Sequence, residues 1–327
     1  MVSIIVPIYN SGDKLRTCLN SIKLQSYRDI EVLMVNDGSK DNSSVICEEF
    51  AKDDNRFIYI QQENAGVSVA RNNGLSHSHG DYICFIDSDD SVELHYVECM
   101  MKAIKDTHAD IVLQGLTNVY AGKEGDKKKF PDLTVKVGEL DDKMFEELFY
   151  FCGPYCKLFR ADYIHHNKIK FPKDLAYGED FVFYVTYLFL CKSIAFLSET
   201  CYNYSVGVNG SLSSVRLHPD KFWVNQVNRR GKYKQLRKQY GIEHSFYPTE
   251  NKIKLVALRG LLSSIKYAQA DLKEYLNIII NNMDFGFSDI LPLNICDKLL
   301  LFLMRSNNNV SRFISVSYTH LTLPTIR

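Results

Sequence analysis

Three carboxylates stand within four positions at Asp87-Ser88-Asp89-Asp90, directly after the apolar run Tyr82-Ile83-Cys84-Phe85-Ile86. Like charges this close repel one another unless a cation or hydrogen-bond donors sit among them. The apolar run has the length and composition of a buried strand. The acidic group therefore falls where the chain leaves a sheet, and there it reads as a divalent-cation and nucleotide-diphosphate site. The plainer alternatives are a solvated turn, and for Asp90 a helix cap.

Two further strand ends carry polar groups of related use. Val2 to Val6 is followed by Pro7, Tyr9 and Asn10, and Ile30 to Val35 by Asn36, Asp37, Gly38 and Ser39. In an open parallel sheet, ligands bind outside the carboxyl ends of the strands. A tyrosine ring there can stack on a base, a carboxylate can accept from the base N–H, and the acidic group can hold a metal on the diphosphate. Each piece also has an ordinary reading. Tyr9 packs on a sheet edge, Asp37-Gly38 is a common turn, and Asp41-Asn42 a common N-cap. Glu179-Asp180 follows Gly178 and opens an aromatic-rich segment; acidic residues are favoured in any first helical turn. On spacing alone, Arg71 and Lys157 read equally well as exposed charges.

The elements that must position these groups alternate. Strands are predicted at Val2–Val6, Ile30–Val35, Phe57–Ile60, Tyr82–Ile86 and Ala109–Leu113. Helices are predicted from Asp13 (Leu15, Cys18, Leu19, Ile22, Leu24), over 42–52 (Val45, Ile46, Glu49, Phe50), after Gly66 (Val67, Ala70, Arg71, Gly74, Leu75) and over 94–105. Strand–helix repeats of this kind imply a mostly parallel sheet flanked by helices. The second half is less regular. Residues 117–140, with Lys127-Lys128-Lys129, read as a polar loop or hairpin. Met144–Phe151 reads as a helix, the stretch to Arg160 as strand-like, Phe181–Leu190 as a helix and Ile194–Leu197 as a strand. Helical pattern resumes from about 219 (222–240, 249–268, 271–281). Leu299–Met304, beside Arg305 and Arg312, suits a membrane-surface segment or a docked terminal helix. Ser315 to Arg327 matches neither period nor composition and reads as a non-native tail. The resulting division is 1–215, 216–314 and 315–327.

Lys+Arg and Asp+Glu are 39 each in 327 residues. The zero net charge argues against bulk electrostatic binding of nucleic acid. Nine cysteines include no Cys-x-x-Cys pair; Cys152 and Cys156 with His165 and His166 do not form a zinc spacing. This usage reads as a reducing compartment without a disulfide framework. The start lacks a basic n-region and a cleavage site, and no run reaches the length of a membrane span. A G-x-G-x-x-G turn is missing after the first strand, which ranks a dinucleotide oxidoreductase low.

Four blocks then occur in order: Val6-Pro7-Ile8-Tyr9-Asn10, Val35-Asn36-Asp37-Gly38-Ser39-Lys40-Asp41, Asn64-Ala65-Gly66 through Ala70-Arg71-Asn72-Asn73-Gly74, and Phe85-Ile86-Asp87-Ser88-Asp89-Asp90. Together they closely resemble the inverting family 2 glycosyltransferases of the bacterial polysaccharide type, well over about 1–115 and more loosely to about 215. The resemblance implies a GT-A (Rossmann-like) fold and a helical C-terminal region. It implies transfer of a hexosyl or N-acetylhexosaminyl group from a nucleotide-sugar donor, usually a UDP-sugar, to a glycan or lipid-linked acceptor. Pro7, Tyr9 and Asp37 would hold the nucleobase, with Asn10, Gly38 and Ser88 in the same donor pocket and Arg71 beside the base or diphosphate. Asp87 and Asp89 would hold Mn²⁺ or Mg²⁺, Asp89 being the direct ligand. Asp180 would be the general base, with Glu179 positioning the acceptor, and Lys157 would face the donor or acceptor. Asp90 keeps a helix-capping role. The family also implies cytoplasmic work with peripheral contact at the inner face of the plasma membrane. Where relatives carry a basic residue after the paired aromatics, this chain has Ser205. The competing class is a nucleotide-sugar-binding protein without turnover.

Overall fold

A computed structural model of the chain describes residues 1–141, 151–175 and 178–207, with isolated helical positions at 144, 147–148 and between 231 and 240. The chain divides into two units, one of Met1–Val215 with Lys232–Phe246, the other of Arg216–Gly231 with Tyr247–Arg327. The predicted helices beyond 240, the segment 299–304 and the tail from 315 lie outside the described residues.

The first unit is built on one ten-stranded sheet. In chain order the elements are β1 (Val2–Ile8), α1 (Gly12–Lys23), β2 (Ile30–Asp37), α2 (Ser43–Asp53), β3 (Phe57–Gln62), α3 (Val67–Ser76), β4 (Tyr82–Phe85), β5 (Ser91–Val92), α4 (Tyr96–Thr107), β6 (Ile111–Tyr120), β7 (Lys123–Lys128), β8 (Leu133–Lys136), β9 (Lys157–Arg160), α5 (Ala161–His166), α6 (Glu179–Leu188) and β10 (Ser193–Val206). The strand order is β3-β2-β1-β4-β9-β6-β10-β5, with β7 on β6 and β8 on β10. β3, β2, β1 and β4 run parallel, as do β6 and β10. β1 and β2 are buried at every position, as strands covered on both faces must be.

Several expectations are corrected by this architecture. β1 continues through Pro7, which pairs with Val35. Ile5 gives its carbonyl to Ile86 on the β4 side, so Pro7, two residues on, faces the same side. The β1–β4 register ends at Ile5↔Phe85, so its missing N–H costs no ladder bond. Leu24 and Val45, predicted on apolar stripes, are 67% and 56% exposed. On α2 the buried stripe is Ser43, Ile46, Cys47 and Phe50, the true i, i+3, i+4, i+7 face. The polar stretch after 117 is a hairpin. β7 folds back on β6 through Ala121 and Gly122, both at positive φ, the signature of a type I′ turn.

The stretch read as strand-like up to Arg160 is β9, which lies antiparallel between β4 and β6, so those two strands do not pair. A ring cluster accompanies this insertion. Phe85 of β4 meets Phe159, Phe171 and Phe183 edge-on, with centroids 6.0, 5.4 and 5.6 Å away, and Phe171 and Phe183 stack at 4.1 Å. These contacts dock α6 beneath the end of β4.

Candidate functional site

The carboxyl end of β4 turns at once. The Asp90 N–H donates to the Asp87 carbonyl at 3.1 Å, closing a four-residue turn with Ser88 and Asp89 in its centre. Ser88 Oγ lies 2.6 Å from Ser11 Oγ, which ties this turn to the loop after β1. In that loop Asn10 sits at φ 49°; its N–H donates to Ser39 Oγ and its side-chain oxygen accepts from the Lys40 N–H. The ends of β1, β2 and β4 therefore meet, as the sequence predicted. Pro7 is buried near the end of β1, and Tyr9, the residue after that strand, is 50% exposed.

Asp37 is only 3% exposed. Its Oδ1 accepts from Gln62 Nε2 and the Ala65 N–H, and its Oδ2 from the Gly66 N–H at 2.9 Å. Each carboxylate oxygen can accept two bonds; among the described residues Oδ2 receives one, and the carboxylate anchors the 62–66 segment. Gly38, at φ +70°, leaves no room for a side chain, because a Cβ would stand 2.8 Å from the Asn64 nitrogen.

Arg71 of α3 is the hub. Its guanidinium is 5% exposed, and donates from Nη2 to Asp87 at 3.1 Å and from Nη1 to Glu179 at 3.0 Å. It also lies over the Phe171 ring at 5.3 Å. The next residue, Asn72, clamps the Phe171 backbone with two hydrogen bonds. Burial works against the Arg71 charge, but Asp87, Glu179 and Asp180 outweigh it and hold the guanidinium charged. Burial and the adjacent Asp180 push Glu179 up, while Arg71 pulls it down. Asp180 is half-buried in the first turn of α6. Its Oδ1 accepts from the Phe181 N–H at 2.7 Å, and Oδ2 has no hydrogen-bond partner among the described residues.

The two carboxylates predicted to hold a cation differ. Asp87 is one-quarter exposed and gives one oxygen to Arg71. Asp89 accepts no hydrogen bond from another described residue; burial and Asp87 raise its pKa, while its own backbone N–H and then Lys14 draw it back. No group of three or more His, Cys, Asp or Glu side chains converges as a metal site among the described residues. Two carboxylates, one without a donor from any other described residue, suit a hard cation whose remaining shell is phosphate and water.

Two sequence expectations change here. Asp90 does not cap a helix: α4 starts at Tyr96, with His95 as its N-cap residue. Asp90 is instead 3% exposed and accepts from the Tyr202 hydroxyl and the Ser205 N–H, each at 2.7 Å. Lys157 is fully buried. Its ammonium donates to the carbonyls of Phe151, Gly153 and Tyr155 at 2.8, 2.6 and 3.3 Å and sits 4.3 and 4.6 Å from the Phe151 and Tyr184 rings. Burial lowers its pKa to about 8. In this arrangement it folds the 151–155 turn and faces no solvent. Ser11, Lys14 and Tyr202 were not singled out by the sequence; their roles depend on partners far along the chain.

Against known proteins, residues 3–167 match the model of glycosyl transferase family 2. Glycosyltransferase GlyA of Streptococcus pneumoniae is 35% identical over 227 residues, covering 65% of this chain and 32% of that protein. The chain thus spans about a third of that relative. The poly(ribitol-phosphate) beta-N-acetylglucosaminyltransferase TarP of Staphylococcus aureus is 26% identical across 91% of this chain and 99% of its own. Among solved structures, S. aureus TarS 1-349 in complex with UDP-GlcNAc superposes with TM-score 0.64 at 22% identity, covering 98% of this chain and 91% of that one. That likeness gives the GT-A-like α/β fold.

Proposed function

This chain belongs to glycosyl transferase family 2, and from that membership we propose that it moves a sugar from a UDP-sugar to a glycan or lipid-linked acceptor with inversion. The observation that carries the reading is the Arg71 bridge, which joins Asp87 at the end of β4 to Glu179 at the start of α6. Donor-side and acceptor-side carboxylates thereby share one buried cation. TarS was solved with UDP-GlcNAc and TarP is named for N-acetylglucosamine transfer to poly(ribitol-phosphate). These favour a UDP-hexosaminyl or UDP-hexosyl donor and a polymeric acceptor.

In this reading the Tyr9 ring stacks on the uracil, supported by Pro7, and Asp37 accepts from the base through its spare site. Asn10, Gly38 and Ser88 shape the same pocket. Asp89, with Asp87, is the ligand set for Mn²⁺ or Mg²⁺. A bound divalent cation would neutralise charge developing on the leaving diphosphate. The acceptor hydroxyl oxygen bonds to the anomeric carbon on the face opposite the diphosphate, whose bond to that carbon breaks with the electron pair. Asp180 Oδ2 takes the hydroxyl proton. Glu179, held by Arg71, fixes the first turn of α6 and with it the direction of Asp180. Lys157 supports the pocket from behind through the 151–155 turn. Residues 1–215 form the donor and catalytic part in this scheme.

The test is titration with UDP, with and without MnCl₂, followed by a donor panel read out as released UDP. Asp180→Asn should keep UDP affinity and lose transfer by at least a hundredfold. Normal turnover by that variant would remove Asp180 from the role of base. Metal-dependent UDP binding by the wild type without transfer to any glycan or lipid-linked acceptor would favour a binding protein.

A further inference from the structure

The third carboxylate of the acidic group has no part in the chemistry above, yet it is the most buried of the three. Its environment is closed and specific. The Asp87 N–H donates to the Tyr202 hydroxyl oxygen at 3.2 Å, and that hydroxyl donates to Asp90 Oδ2 at 2.7 Å. Asp90 Oδ1 accepts from the Ser205 N–H at 2.7 Å, and the Asp90 N–H returns to the Asp87 carbonyl. One phenol oxygen therefore sits between the backbone of the first metal-side aspartate and the carboxylate of the last residue of its turn.

The phenol itself is held by two neighbouring tyrosine rings. Tyr202 is fully buried in β10. Its ring stacks on Tyr155 at 5.3 Å and 24°, and meets Tyr96 at 5.8 Å. Tyr155 belongs to the turn whose carbonyls are gathered by Lys157. Behind the turn, β5 pairs Val92 with Tyr202 and Ser91 with Asn203, which fixes the register of the acidic turn against β10.

A hydrogen-bonded chain that begins on a carboxylate polarises along its length. The Tyr202 hydroxyl links the Asp90 carboxyl to the Asp87 amide, and Tyr202 and Ser205 give Asp90 two hydrogen-bond partners inside a buried site. Without this brace the turn would keep its internal hydrogen bond, the Ser88–Ser11 contact and the Asp87–Arg71 ion pair, none of which engages the Asp90 carboxyl or the Asp87 amide. We propose that Tyr202 and Asp90 are positioning residues for donor binding: together they hold the Asp87–Asp89 turn in the geometry that accepts a cation-bound diphosphate. The Ser205 contact extends the same brace to the point where the chain leaves β10. This inference rests on the reading that Asp87 and Asp89 engage the donor.

The experiment measures UDP affinity of the full chain by calorimetry with and without MnCl₂, beside the thermal midpoint of the unliganded protein. Tyr202→Phe keeps the ring stack and removes only the hydroxyl. It is expected to weaken binding in MnCl₂ by about tenfold while binding of UDP alone stays within twofold. Asp90→Asn should give a similar loss, and the double variant about the same tenfold rather than a hundredfold, because the two groups act as one brace. Unchanged affinity of Tyr202→Phe in MnCl₂, or multiplying losses in the double variant, would overturn the proposal. A parallel loss of metal-free UDP binding would assign the pair to general folding instead and would equally overturn it. If the wild type itself shows no metal-dependent gain, the donor-site reading fails first.

Discussion

Replacing Arg71 by methionine removes the one cation shared by Asp87 and Glu179. Breaking a buried ion pair by deleting one partner costs about 3–5 kcal/mol, because the other charge stays buried and unpaired. Glu179 meets that condition, its side chain being 10% exposed, whereas Asp87 at 25% can recover part of its loss from water. The expected destabilisation is therefore about 3–5 kcal/mol, set almost wholly by Glu179. Its pH dependence follows from the direction of the Glu179 shift. Burial already raises that carboxyl, and Arg71 is the group that opposes the rise; without Arg71 it climbs further. A carboxyl whose folded pKa is raised contributes stability below its unfolded pKa, and that contribution is lost as pH rises through the folded value. The deficit of Arg71→Met should thus be small near pH 4 and grow towards pH 8. Urea unfolding followed by far-ultraviolet circular dichroism at several pH values measures it. A deficit below about 1 kcal/mol at pH 8, or one that shrinks as pH rises, would refute the bridge as the buried hub of the site.

Two other perturbations probe the scaffold. Lys157 has a folded pKa of about 8 against an ordinary value of 10.5, so its contribution is present above 10.5 and is lost as pH falls through about 8. The thermal midpoint of the wild type should accordingly gain on that of Lys157→Met between pH 7.5 and 10, and parallel curves would contradict the buried ammonium. Gly38→Ala forces a Cβ to 2.8 Å from the Asn64 nitrogen at φ +70°, whereas at Gly66, φ +91°, a Cβ meets nothing within 4 Å. Gly38→Ala should cost about 1–3 kcal/mol and weaken UDP binding, while Gly66→Ala reports backbone strain alone; equal UDP affinities in both variants would separate the Asp37 turn from the donor site.

What could be read beforehand was local. β1, β2 and β4 are near-continuous apolar runs, and their polar ends announce the site within a few residues of each strand. Four such blocks in order were specific enough to carry the family. What could not be read depends on partners distant in sequence. Asp90 looks like a helix cap because a helix follows it, but its partners Tyr202 and Ser205 lie 112 and 115 residues away. Lys157 looks like a surface lysine because nothing nearby is acidic, and its charge is met by carbonyls and rings instead. β9 has only four residues, begins with that lysine, and runs against the direction a strand–helix alternation leads one to expect.

The insertion of β9 also bears on how this chain can be cut or assembled. A fragment ending near residue 115 would carry the four sequence blocks, β4 and the first half of β6, yet β9, which joins those strands, and β10, the other neighbour of β6, would be missing. The β4 edge and both edges of the shortened β6 would be left without their partner strands, and none is blunted by charge. The ladder between them closes only after Lys157–Arg160 has returned. Closure of the sheet between β4 and β6 therefore awaits synthesis of the chain through residue 160. A long-range closure of this kind slows folding, and a nascent or truncated chain halted before it would be prone to strand-edge aggregation.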